Sequence, residues 1–185
     1  IRLPCIVKAP DHAKPGMVQA GLVSWTDITP TILDYAGVVV EPDNFYVRSF
    51  RELVETEMVA GWYEVYGAHS LHEITMYYPM RMVRNRKHKL IHKVAHQLPF
   101  PFALDLKQSP TWISTSGSSY FGARSKQKFI QRPQFELYDL ETDPNELNNL
   151  ADRKAHRKVF EMLLKKLEGF LKYYEDTLGF DVLVI

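Results

Sequence analysis

Cysteine is almost absent from this 185-residue chain: Cys5 is the only one, so no intrachain disulfide can form. That says little about compartment, because a protein with a sufficient core is exported without disulfides as readily as with them. No apolar run approaches the roughly 18–20 residues that a membrane helix needs, so no membrane partner is expected. Strong charge of either sign is lacking too. With 23 Lys and Arg against 22 Asp and Glu, the formal charge is +1, which argues against a general binder of polyanions or nucleic acid and leaves only local basic patches. Internal repeats, low-complexity tracts and zinc-spaced histidines are also missing. There is no signal peptide, and the opening Ile1-Arg-Leu-Pro-Cys-Ile-Val-Lys-Ala-Pro10 reads as an interior strand. The expectation is the C-terminal piece of something larger.

What is present suits one or two packed cores: 45% hydrophobic and 12% aromatic residues. Residues 3–7 are apolar, partly β-branched and bounded by prolines, as in a strand buried on both faces, where a thiol such as Cys5 serves as a small core residue. Residues 24–37 predict a capped helix. Thr26 or Asp27 supplies the cap, Pro30 is tolerated in the first turn, Ile28, Ile32, Leu33 and Tyr35/Ala36 make the apolar face, and Gly37 stops it. Residues 50–60 are a weaker helix candidate. Strand-like runs follow at 62–67, 78–83 and 89–94, the last two joined by the basic turn Arg84-Asn-Arg-Lys-His88. Residues 98–132, rich in Pro, Ser, Gly and aromatics, predict a long irregular insertion, functional or mobile. A fourth strand at 135–140 and a turn at Asp143-Pro144 lead to an amphipathic helix at 156–176, striped by Val159, Phe160, Leu163, Leu164, Leu167, Phe170 and Leu171.

The expected fold is therefore α+β: a small four-stranded antiparallel sheet with the C-terminal helix across one face. Residues 1–40 are expected to be the last strand–helix unit of a preceding α/β domain. Residues 41–185 then form a C-terminal subdomain carrying the irregular insertion at 95–133.

The segment Gly67-Ala-His-Ser-Leu-His-Glu-Ile-Thr-Met-Tyr-Tyr-Pro-Met-Arg81 concentrates polar chemistry around one turn. His69, His72 and Glu73, with Arg81 on the following strand, fit a loop that meets an anionic sugar, Arg81 clamping the anion and Glu73 accepting hydroxyl hydrogen bonds. They fit equally a polar corner folded by an Arg–Glu pair. The basic turn 84–88 likewise reads as a track for a sulfated polymer or as a solvated hairpin tip that blunts a sheet edge.

Two strings carry a family resemblance. Phe135-Glu-Leu-Tyr-Asp-Leu-Glu-Thr-Asp-Pro-Asn-Glu-Leu-Asn-Asn-Leu-Ala151 resembles the closing segment of the sulfatase family. Ser70, His72, Glu73, Thr75, Met76, Tyr78, Pro79, Met80 and Arg81 match position by position the Ser-x-His-Glu-x-Thr-Met-x-Tyr-Pro-Met-Arg run of the N-sulfoglucosamine sulfohydrolases and their bacterial relatives. Asp27-Ile-Thr-Pro-Thr-Ile-Leu-Asp34 and Leu98-Pro-Phe-Pro-Phe102 resemble further parts of that family. The resemblance implies a hydrolase of the alkaline-phosphatase-like superfamily that cleaves N- or O-linked sulfate from a glycosaminoglycan-type saccharide. It further implies calcium and a formylglycine nucleophile, an exported location (periplasmic, extracellular or lysosomal), and substrate binding through His72, Glu73 and Arg81.

Nucleophile and metal ligands are not expected in this chain. Cys5 is followed by Ile6-Val7-Lys8-Ala9, which is not Cys-x-Pro-x-Arg, and Asp43-Asn44 lies on the wrong side of the 27–37 helix to be the family's calcium-binding pair. No catalytic or metal residue is assigned, and the missing N-terminal catalytic domain is the expected partner. A non-catalytic sugar- or protein-binding module and a phosphodiesterase of the wider superfamily remain the alternatives.

Overall fold

A computed structural model describes residues 3–10, 15–39, 48–56, 60–71 and 76–174. The chain separates into two compact units, Ile1–Val65 and Tyr66–Ile185.

In the first unit a 3-10 turn, Trp25–Asp27, runs into helix α1, Ile28–Tyr35, and a second short helix, α2, spans Arg51–Glu55. Ser24 caps the entry: its hydroxyl accepts from the Thr26 N–H, while the Asp27 carboxylate accepts from the Ser24 N–H at 2.8 Å. Gly37 ends the helix at φ 73°, as expected. The expected apolar face, however, points outward. Of that face Ile28 is 36% and Ile32 62% exposed, with Leu33 and Tyr35 half-buried, while Asp27, Pro30 and Thr31 are buried. The reason is hydrogen bonding to residues 48–50. Asp27 accepts from the Arg48 N–H at 3.3 Å, and Thr31 Oγ1 accepts from the Phe50 N–H at 2.9 Å and donates to the Asp27 carbonyl at 2.6 Å. These bonds fix the polar side inward, above a core of Phe50, Leu53, Val54 and Trp62.

Residues 3–7 correct a second expectation. They form no strand, and Leu3, Cys5, Ile6 and Val7 are exposed. A strand buried on both faces exists only between neighbours that take its backbone hydrogen bonds, and no described residue of this chain offers such a ladder. Cys5 is thus not a core residue here.

The second unit carries the expected sheet. Strands β1 (Glu64–Leu71), β2 (Tyr77–Asn85), β3 (His88–Lys93) and, after the insertion, β6 (Phe135–Asp139) lie side by side in the order β1-β2-β3-β6. β2 pairs antiparallel with β3 (Val83 opposite Leu90) and β3 with β6 (Leu90 opposite Leu137). The basic tip between β2 and β3 is an Asn turn. Asn85 Oδ1 accepts from the N–H groups of Lys87 and His88, and Lys87 pairs with Glu141 at 3.2 Å.

Strand alternation puts Val83, Leu90 and Leu137 on one face, where helix α6, Arg157–Tyr173, lays Phe160, Leu163, Leu167 and Leu171 against them. Beyond β6, Asn149 stands in for a further strand: it accepts from the Leu137 N–H at 2.9 Å and donates to the Phe135 carbonyl at 3.0 Å. Asp143 closes the preceding turn by accepting from the N–H groups of Leu147 and Asn148. Among the described residues no helix is long and apolar enough to cross a membrane.

The insertion is more regular than expected. Helices α3 (Leu104–Gln108), α4 (Pro110–Ser114) and α5 (Lys126–Ile130) and a two-stranded ribbon, β4 (Tyr120–Phe121) with β5 (Arg124–Ser125), wrap an aromatic cluster of Phe100, Phe102, Trp112, Phe121 and Phe129. The Phe100 N–H donates to the Ile130 carbonyl at 2.7 Å and closes its neck. The insertion rests on the face of the sheet opposite α6, where Phe100 meets Tyr78 edge-on at 5.2 Å.

Candidate functional site

The expected site residues sit where β1 passes into β2. Arg81 is the one whose surroundings are described; His72 and Glu73 lie outside the described residues, as does Asp43-Asn44. Arg81 occupies the interior of β2, not its start, and is 3% exposed. Its Nη1 donates to the His69 carbonyl of β1 at 3.1 Å and to the Met80 carbonyl at 2.9 Å. The guanidinium therefore ties β1 to β2, through one residue on either side of the connection in sequence. Tyr78 and Pro79, from the same motif, are fully buried and anchor the start of β2.

Behind Arg81, directly across the strand pair, stands His92. Its ring is buried and stacks on Phe135 at 4.7 Å, and Phe135 meets Phe160 of α6 edge-on at 5.3 Å. Burial, with positive charge nearby on His96, Arg81 and Lys93, pushes the imidazole down to about 4, so it is neutral in ordinary buffers. The sheet's opposite face holds a second buried polar group. Lys93 is wholly buried and pairs with Glu136 at 2.7 Å, and Lys89 pairs with Glu146. Desolvation lowers the Lys93 ammonium to about 8 against the pull of Glu136, and burial raises the Tyr138 hydroxyl. Neither His92 nor Lys93 figured among the expected site residues. Their signal was the run His88-Lys-Leu-Ile-His-Lys93, which places polar side chains on both faces of a central strand.

Calcium and formylglycine are not matched by these residues. Cys5 is exposed and outside the formylglycine motif, and among the described residues no three His, Cys, Asp or Glu side chains stand together as a metal site.

The family described as "N-sulphoglucosamine sulphohydrolase, C-terminal" matches residues 1–120. The chain belongs to that family. It is 35% identical to human N-sulphoglucosamine sulphohydrolase over 178 residues, covering 89% of this chain and 35% of that protein. It is 28% identical to an ulvan-active sulfatase of Formosa agariphila over 181 residues, 97% of this chain and 34% of the relative. This sulfatase segment thus spans about a third of the length of the curated relatives it matches. Among solved structures it shares its fold with a protein whose structure is in complex with its substrate D-glucosamine-2-N,6-O-disulfate. That match has a TM-score of 0.52 and 24% identity, and covers 82% of this chain and 24% of the other.

Proposed function

We propose that this chain is the C-terminal part of a hydrolase that removes N- or O-linked sulfate from a glycosaminoglycan-type saccharide, and that it contributes recognition of the sugar and not the nucleophile. Family membership carries the reading of a sulfatase. The human relative's name, and the glucosamine disulfate bound by the structural relative, support a sulfated amino sugar as substrate. Recognition falls to His72 and Glu73, with Arg81 as the brace that holds the polar segment to the sheet. In support, a buried guanidinium on β2 bonds a carbonyl of β1, tying together the two strands that this segment joins in sequence. Glu73 accepts hydrogen bonds from sugar hydroxyls, a role that a carboxylate fills with two acceptor oxygens. Calcium and formylglycine, in this reading, belong to the preceding catalytic domain, against which the outward apolar side of α1 packs, and the whole enzyme is exported.

Without that domain the purified chain should hydrolyse no chromogenic aryl sulfate, with or without calcium. Calcium-dependent turnover by the chain alone would contradict the assignment of the nucleophile elsewhere.

A further inference from the structure

Charge is spread unevenly along the chain. Residues 152–174 hold seven Lys and Arg against three Asp and Glu, a surplus of four in a chain whose total is +1. Most of that surplus lies on α6, whose apolar side is taken up by the sheet. On its solvent side Lys158, Lys165 and Lys172 are all exposed. They recur every seven residues, so they form one line that turns by only about 20° per step. Neighbours on it stand about 10.5 Å apart along the axis, and the whole line is about 21 Å long. None of the three makes an ion pair among the described residues. The nearest acids do not neutralise the line: Glu161 is held by Arg157 at 2.7 Å, and Glu168 is half-buried to one side.

Gly169 lies on the same line, between Lys165 and Lys172. Glycine inside a helix is destabilising relative to alanine, and a Cβ at Gly169 would meet nothing within 4 Å. No neighbour among the described residues therefore requires it. What it leaves is a bare stretch of helix between two cations, on which an extended partner comes close to the backbone.

The partner that fits is a linear chain with regular, widely spaced negative charges. Duplex DNA carries one charge per about 1.7 Å of axis, far denser than this line. A helix that lies on a membrane needs its apolar side free, and that of α6 is in the core. A sulfated polysaccharide repeats its charges at disaccharide steps, the scale of the spacing between these lysines. We propose that Lys158, Lys165 and Lys172 form a docking track on α6 for the sulfated oligosaccharide chain that carries the sugar to be cleaved. This rests on the reading of the chain as part of a glycosaminoglycan hydrolase, and it extends recognition from one sugar to several. Lysines are depleted from the interior of protein interfaces, so the preceding domain is not expected to cover them.

The test measures binding of the full-length protein to heparin oligosaccharides of increasing length. Wild-type affinity should rise with length until the oligosaccharide spans all three lysines. The triple variant Lys158→Gln, Lys165→Gln, Lys172→Gln keeps helix propensity and should flatten that dependence. It should weaken the longest oligosaccharide about tenfold, a modest share from each of three exposed charge pairs. Its kcat/KM on D-glucosamine-2-N,6-O-disulfate, too short to reach along the line, should stay within about twofold of wild type. Gly169→Gln removes no charge and should weaken the longest oligosaccharide about threefold by obstructing the close approach. Lys107→Gln with Lys128→Gln, two exposed lysines of the insertion, should leave affinity as it is. Unchanged affinity in the triple variant or in Gly169→Gln, an equal loss in the insertion variant, or an equal loss for duplex DNA overturns the track. If wild type hydrolyses the disulfate while the triple variant binds heparin normally, only the track is wrong. If wild type neither binds heparin nor hydrolyses the disulfate, the reading beneath it falls as well.

Discussion

Glu136→Ala should destabilise the sheet unit by about 3–5 kcal/mol, the usual consequence of removing one partner from a buried ion pair. The loss follows from where Lys93 stands. Its side chain is wholly buried on the face under the insertion, its ammonium is 2.7 Å from Glu136, and its only other acceptor among the described contacts is the Pro133 carbonyl at 3.5 Å. Without the carboxylate the lysine must stay charged in a dry site or lose its proton. Even in the wild type burial holds Lys93 at about 8, below the ordinary 10.5. The unfolded chain therefore binds more protons than the native one between those values, and this group makes stability rise as pH climbs from about 8 toward 10. Urea unfolding across that range checks both statements. A change in Glu136→Ala of less than about 0.5 kcal/mol, the surface value, would place the pair outside the core.

Leu163→Ala should cost about 2–5 kcal/mol, from lost burial and from the cavity left behind. Leu163 has no exposed surface and packs from α6 onto Val83, Leu90 and Leu137, one residue from each of three adjacent strands. The hole would open at the centre of the sheet–helix interface, where rigid neighbours from separate strands cannot easily collapse into it. Thermal or urea unfolding of the folded protein measures it, and a near-neutral result would mean that α6 does not hold the sheet.

The α6 layer was legible because its signals are periodic. Leucines and phenylalanines at helical spacing, and alternating strands with Val83, Leu90 and Leu137 on one side, can be read from one sequence. The opposite layer was not. Lys89, Lys93 and Glu136 look solvent-facing until the insertion is seen to cover them, and helices of five residues in that insertion are too short to leave a periodic trace. Helix α1 misled in another way. Its apolar stripe is real, yet Asp27 and Thr31 bond the backbone of 48–50 and turn that stripe outward. The strand expected at 3–7 failed because apolar composition gives no account of which neighbours complete a ladder. Around the candidate site, the sequence pointed to Arg81 as an anion clamp beside a polar segment, and it did not show that the guanidinium is buried in the interior of β2 and bound to backbone carbonyls. It gave no hint that His92 lies behind the guanidinium, since cross-strand register is set by the turn at 86–87 and by pairing, not by local pattern.

The central claim is that residues 69–81 recognise a sulfated sugar, and the most direct measurement is kcat/KM of full-length Glu73→Gln on two substrates. The substitution keeps the shape and removes the charge. For D-glucosamine-2-N,6-O-disulfate the value is expected to fall about tenfold or more, as when a charged hydrogen-bond acceptor for substrate is lost. For a small aryl sulfate, which has no sugar hydroxyls, it should stay within about twofold of wild type. Equal losses on the two substrates would make Glu73 a folding residue and contradict the account.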